Sequence, residues 1–358
     1  MSVVVITGSA GLIGSEASEY YLSKGYTVIG IDNNMRKFFF GDEADTSWNR
    51  TYLEQKYPKN YIHHEVDIRN TQEVFQIFKR YQNEIVLIIH TAAQPSHDWA
   101  STDPITDFNI NANGTLNLLE AFRLYSPKAV FIFTSTNKVY GDYPNQLPLK
   151  ELEKRWEIDP LHPYFNGIQE NMNVDQCLHS LFGVSKLSAD VLVQEYGKYF
   201  KLHTYCLRGG VLSGSKQSGV AAHGFINYLM KCVMLDIPYI IYGHKGKQVR
   251  DVIHSKDVIS AMDCIFRNPQ KCGEVYNLGG GRHSNVSILE AIDIAQEISG
   301  QKLKYQYSPK ARIGDHIWYV SSLNKFKTDY PDWDIKFDIQ KIMKQIYKEN
   351  KTKWKKTT

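Results

Sequence analysis

The chain has 358 residues, 42% of them apolar and 22% charged, which are globular values that exclude wholesale disorder and leave room for one large domain or two modest ones. The formal charge is +4, but Lys348, Lys351, Lys353, Lys355 and Lys356 at the end carry more than that excess; the body is near neutral, and neither nucleic acid nor a membrane is an expected partner. No apolar run approaches the roughly 20 residues that span a bilayer. The five cysteines (Cys177, Cys206, Cys232, Cys264, Cys272) are odd in number, scattered and never in a Cys-x-x-Cys pair, which argues against a disulfide framework or a metal site and for a reducing cytoplasm.

Val3-Val4-Val5-Ile6 is short, β-branched and followed at once by Gly8, Gly11 and Gly14, so it predicts a buried parallel strand ending in a tight loop, with a helix from near Leu12. Thr27 to Ile31 predicts a second buried strand ending at Asp32. Residues 34–59 are polar and aromatic, with Phe38-Phe39-Phe40 and Trp48; they delay the next strand, near Tyr61 to Val66, and read as an insertion or flap. Ile85 to Ile89 and Ala129 to Thr134 repeat the strand pattern after helical stretches. From about Gly209 the alternation loosens into a helix Phe225 to Met234, a strand Tyr239 to Tyr242 and a helix Lys256 to Phe266. A Gly279-Gly280-Gly281 turn and a helix Ile288 to Ser299 follow.

The expected fold class is α/β: a doubly wound parallel sheet of the Rossmann type, with a smaller, partly discontinuous C-terminal α/β substrate lobe. The expected boundaries are 1–208 for the cofactor-binding domain, joined by about 246–268, then 209–245 and 269–345 for the second lobe, with 346–358 as a solvated, frayed Lys-rich tail.

In Thr7-Gly8-Ser9-Ala10-Gly11-Leu12-Ile13-Gly14, Gly8 permits the tight turn, Gly11 lets backbone approach a pyrophosphate, and Gly14 lets the helix pack on the strand, so the helix N-terminus faces phosphates. Asp32, ending the second strand, is placed to accept hydrogen bonds from an adenosine ribose and to repel a 2′-phosphate, which favours NAD over NADP. Arg36, four residues on, blurs that choice.

This loop and Asp32 are followed in order by Asp67-Ile68, Thr91-Ala92-Ala93-Gln94, Asn111 with Gly114-Thr115, Thr134-Ser135-Thr136, Val139-Tyr140-Gly141 and Ser185-Lys186. The set resembles the extended short-chain dehydrogenase/reductase superfamily, the group of nucleotide-sugar epimerases and dehydratases, over nearly the whole chain. The resemblance implies NAD held by Gly8, Gly11, Leu12, Ile13, Gly14, Asp32, Asn33, Asp67, Ile68, Thr91, Ala92, Ala93, Gln94, Asn111, Thr134 and Lys186. It implies that Lys186 holds the nicotinamide ribose and lends positive charge, and that Thr136 hydrogen-bonds the reacting hydroxyl. It also implies a nucleotide-diphosphate sugar whose phosphates are gripped by Arg250 and Arg312 and whose ribose meets Asp315. Ser135 to Asp142 and Gly246 to His254 look most like members acting on a CDP-activated deoxyhexose, so a CDP-sugar is the expected substrate, inverted by transient oxidation in a dimeric or tetrameric homo-oligomer.

The pattern breaks at one atom. The superfamily's base is the tyrosine of Tyr-x-x-x-Lys, and this chain has Phe182-Gly183-Val184-Ser185-Lys186, whose phenyl ring neither accepts nor gives a proton. Tyr140, Tyr164 and His179 are candidates to replace it, as is Lys186 acting through Thr136 and a water. His97 and Asp98, in the loop after the fourth strand, are placed to position the sugar or exchange a proton. Leu207-Arg208 is followed by Gly209-Gly210-Val211, where many sugar epimerases have an aromatic pair and then Asn, so a differently shaped sugar pocket is expected. Two other readings stay open: a different nucleotide-sugar dehydrogenase or dehydratase, and a catalytically silent NAD-binding regulatory protein.

Overall fold

The structure, a computed structural model, describes residues 2–311 and 314–355, and the chain divides into two compact units. The first is built from the residues up to Val139, Leu181–Arg208 and Val258–Tyr276. Its frame is a sheet of seven strands: β1 (Val3–Thr7), β2 (Thr27–Ile31), β3 (Tyr61–His64), β4 (Ile85–His90), β5 (Val130–Thr136), β6 (Thr204–Gly209) and β7 (Glu274–Leu278). They lie in the order β7-β6-β5-β4-β1-β2-β3. The strands from β3 through β5 pair in parallel, and every residue of β1 and β2 is buried, which is why both read as unbroken apolar runs. The order reverses between β1 and β4, so the loops leaving their carboxyl ends open at a topological switch point. The chain adopts the doubly wound α/β fold that its alternation predicts.

The second unit takes Tyr140–Ser180, Gly209–Asp257 and the chain from Asn277 onward. Its central strand, Val249–His254, pairs antiparallel with Asn285–Ser287 and in parallel with Trp318–Tyr319 and Val211–Ser213. Ile226, Met230, Val252, Ile292, Ile342 and Met343 form its apolar core.

Three expectations from sequence need correcting. Residues 140–180 join the second unit, and the segment returning to the first is 258–276 rather than 246–268. The reason is pairing: Val249–His254 hydrogen-bonds to strands of the second unit, whereas Phe266 packs edge-on against Tyr21 and Tyr26 and β7 extends the large sheet. Residues 346–355 are not frayed; they complete a helix, Ile339–Lys355, that seats Ile342, Met343 and Ile346 in the second core. Residues 34–59 are no flap. They form helices Met35–Phe40 and Ser47–Lys56, and the buried Asn49 side chain donates to the Ala10 carbonyl, fastening the segment to the glycine loop.

Candidate active site

The glycine loop is shaped by contacts that only glycine allows. Gly8 has φ +67° and its N–H bonds Ile31 O at 2.8 Å; a Cβ there would stand 2.8 Å from the Ala92 nitrogen. A Cβ at Gly14 would stand 2.0 Å from Gly8 O, so helix α1 (Leu12–Ser23) rests directly on the turn. Gly11, at the N-cap, meets only Gly8 O at 3.2 Å and keeps an extended backbone (φ −68°, ψ 177°). Leu12 and Ile13 open the helix, with Ile13 buried. Asp32 Oδ2 accepts Ala10 N–H at 3.0 Å and Oδ1 accepts Asn34 N–H at 2.7 Å. Burial raises its pKa, and these two bonds oppose that rise by stabilising the anion.

Asn33 Nδ2 donates to Asp67 Oδ2, so two of the expected cofactor residues are coupled, while Asp67 also pairs with Arg69. Ile68 is buried against Gly114, whose missing Cβ would stand 2.7 Å from the isoleucine methyl. After β4, Thr91 Oγ1 donates to Thr7 O at 2.7 Å, and Ala92 N–H donates to Thr7 Oγ1 at 3.2 Å; Ala93 and Gln94 follow. The Gly-loop, Asp32 and the β4 loop thus converge where an ADP moiety needs close backbone, a helix N-terminus and a ribose acceptor, and NAD fits this cradle.

Lys186 lies on the helix Ser180–Phe200, here α3, and the helix His97–Thr102 is here α2. Its side chain is buried, Nζ donates to Thr134 O at 3.0 Å and sits 4.1 Å from the centre of the Phe133 ring. Burial pulls its pKa down to about 8, with Asp190 pulling the other way. Thr136 ends β5, two residues beyond that carbonyl, and its Oγ1 accepts the Lys138 N–H. Phe182, one turn before Lys186, is 7% exposed and meets the His97 ring edge-on, centroids 4.8 Å apart. His97 begins α2, capped by Ser96, while Asp98 beside it is exposed.

Sequence reasoning named Gln94, Asn111 and Ser185 but missed the hydrogen bonds that join them, with Asp107, into a polar scaffold beneath these groups. Asn111 Oδ1 accepts Gln94 N–H, and its Nδ2 donates to Gln94 O, Asp107 Oδ1 and Ser185 Oγ. Asn111 lies in a π-helical turn, Asn109–Asn113, a distortion that recurs at functional sites. Asp190 and Arg208 form a buried ion pair at 2.8 Å, and Ser135 Oγ also donates to Asp190. Asp190 is four residues after Lys186 on one helix face, a signal available in the sequence. His90 is wholly buried: Thr115 Oγ1 already donates to Asn111 O, so His90 Nε2 carries the proton toward Thr115 and Nδ1 accepts from Thr7. Burial holds its pKa well below the usual range, so the ring is neutral.

The remaining candidates lie in the second unit. Tyr140 is fully buried and its hydroxyl donates to Asn277 Oδ1 at 2.8 Å, which makes it structural. Tyr164 is half-buried, its N–H on His162 Nδ1. His179 Nδ1 donates to Cys177 O at 3.1 Å. Arg250, 8% exposed, gives Nη2 to Asp315 Oδ1, and Asn145 donates to the Asp315 carbonyl, so the arginine and acid expected to meet a nucleotide lie side by side. Arg312 lies outside the described residues. The five cysteines are unpaired by disulfides. Among the described residues no helix is long and apolar enough to cross a membrane.

Residues 4–279 match the NAD dependent epimerase/dehydratase family, and the chain belongs to it. It is an NAD-dependent enzyme of the nucleotide-sugar epimerase/dehydratase class. The CDP-paratose 2-epimerase of Salmonella typhi is 31% identical over 351 residues, 96% of this chain and 98% of that one. Among solved structures, the UDP-glucose 4-epimerase of Bifidobacterium longum with NAD+ and UDP superposes with a TM-score of 0.79 at 23% identity, covering 98% of each chain. The UDP-glucuronic acid 4-epimerase of Bacillus cereus, with UDP-glucuronic acid and NAD, gives 0.78 at 23%, covering 99% and 100%.

Proposed function

We propose that the chain is an epimerase of a CDP-activated deoxyhexose, inverting C2 by transient oxidation and return of the hydrogen to the opposite face. The observation that carries the reading is the buried Lys186 ammonium held on Thr134 O beside Thr136, together with the Arg250–Asp315 pair. A cofactor-binding protein without chemistry has no need to hold a lysine inside an apolar wall at the cost of desolvation. The preference for a CDP-sugar is supported by the 31% identical relative, a CDP-paratose 2-epimerase matched over nearly its whole length.

Bound NAD supplies the oxidant and, on return, the reductant. In this reading the Gly8–Gly14 loop and Asp32 hold its adenosine diphosphate end, and Asp67, Ile68, Thr91 and Asn111 line the rest. Lys186 hydrogen-bonds the nicotinamide ribose, and its charge stabilises the developing alkoxide of the sugar. Thr136 orients the reacting hydroxyl. Arg250, with Arg312, holds the diphosphate, and Asp315 the nucleoside ribose.

The test is incubation with CDP-, GDP-, UDP- and dTDP-sugars in ordinary and heavy water, followed by NMR of the sugar. Inversion of CDP-paratose at C2 without solvent deuterium is the expected outcome. Loss of water with solvent label at C5 moves the enzyme to the dehydratases, and no change in any sugar removes the enzymatic reading.

A further inference from the structure

We propose that His97 supplies the proton acceptor missing at residue 182, so that an imidazole and not a phenol takes and returns the sugar hydroxyl proton. This rests on the epimerase reading above. The two rings touch: His97 meets Phe182 at 65°, centroids 4.8 Å apart, in the first unit and one helical turn from Lys186. The imidazole therefore stands against the ring that carries the phenol in the Tyr-x-x-x-Lys pattern.

Both residues hang from one buried polar scaffold. Gln94 Oε1 accepts the Ser96 N–H and its Nε2 donates to Ser96 O and Asp107 Oδ1, fixing the loop that ends at His97. The other side of the same scaffold runs from Asn111 to Ser185 Oγ, which donates to the Phe182 carbonyl. Ser96 Oγ caps α2 by accepting the Trp99 N–H, and Trp99 packs on Phe39 at 4.6 Å. A histidine held this way is pre-organised, which a solvated loop histidine is not. Nearby, Lys186 is protonated below about pH 8 and an ammonium has no lone pair to accept with, while the Asp98 backbone carbonyl is engaged by Ser101 and Thr102 and its carboxylate is exposed.

The step balances. A neutral imidazole nitrogen takes the proton as the sugar O–H bond breaks; the C–H electron pair leaves the same carbon as hydride for the oxidised nicotinamide, and a ketone forms. On return the hydride adds to the opposite face of the carbonyl, and the imidazolium gives its proton back to oxygen. Histidine and cofactor end as they began, and one stereocentre is inverted.

The experiment compares wild type, His97→Gln, Phe182→Tyr and the double variant on whichever sugar of the four-nucleotide panel the wild type inverts. For His97→Gln, kcat falls by about 100-fold or more, the range for a lost general base. KM stays within about threefold, as expected for a group acting in the transition state. NAD content of the purified protein and CDP affinity by calorimetry are unchanged. Adding Phe182→Tyr to His97→Gln recovers about tenfold or more, because a phenol beside Lys186 restores the usual acceptor. His97→Gln with kcat within about threefold of wild type overturns the proposal, as does a loss mirrored in NAD content or CDP affinity. A wild type that inverts no sugar overturns the epimerase reading itself, an outcome distinct from either.

Discussion

Lys186 meets two opposing demands. In the proposed mechanism its ammonium is wanted as a charge, yet it is buried in a wall that includes Phe133, which pulls its pKa down to about 8 against the attraction of Asp190. Depression of a lysine pKa means that the charged form is lost on the alkaline side first. We therefore expect kcat/KM to fall as pH rises past about 8, by about tenfold per pH unit, while Lys186→Met lies roughly 100- to 1,000-fold lower below pH 8. A wild-type profile flat to pH 10 would take the ammonium out of the chemistry. Lys186, Thr136 and the loss of the phenol at 182 are legible in the sequence because each is one residue in a spaced motif. The ion pair of Asp190 with Arg208 and the hydrogen bonds that join Gln94, Asp107, Asn111 and Ser185 are not, because hydrogen-bond partners far apart in the chain leave no local period.

Elements were readable where one force dominates. Thr27–Ile31 and Tyr239–Tyr242 are apolar or β-branched runs bounded by turn residues, and Ile288–Ser299 carries a capping box of Ser287 and Glu290 with Gly300 at its end. The last helix was missed because its lysines mask apolar residues at 339, 342, 343 and 346, a helical spacing that the sequence does contain. The glycine loop and α1 form one element in energetic terms, and the two glycines at its ends answer to different forces. Gly14→Ala puts a methyl into the Gly8 carbonyl, backbone against backbone, so the helix must lift off the turn. We expect it to lower stability by about 3 kcal/mol or more, read from the urea midpoint, and to abolish NAD retention. Gly11→Ala meets only Gly8 O at 3.2 Å, so stability should hold within about 1 kcal/mol while NAD affinity falls, because the methyl points where a pyrophosphate approaches. Equal destabilisation by both changes would contradict the split.

At the scale of the molecule, the chain passes between the two units after Val139, Ser180, Arg208, Asp257 and Tyr276, so neither unit is a continuous stretch of sequence. A fragment cut at residue 208, where the strand–helix alternation loosens, retains β1 to β6 but loses β7 and the helix Ser255–Arg267, here α4. That leaves β6 with an open edge in place of its partner, and removes Phe266 from Tyr21 and Tyr26. It also deletes Val258, Ile259, Met262 and Ile265, each 2% exposed or less. At about 1.5–3 kcal/mol for each buried aliphatic side chain, the loss is of the order of a whole domain's stability. We therefore expect residues 1–208 alone to aggregate or to unfold without a sharp calorimetric transition, and to retain no NAD, although every glycine-loop residue and Lys186 is present. A soluble fragment with one cooperative transition would mean that the first unit closes without any returning segment.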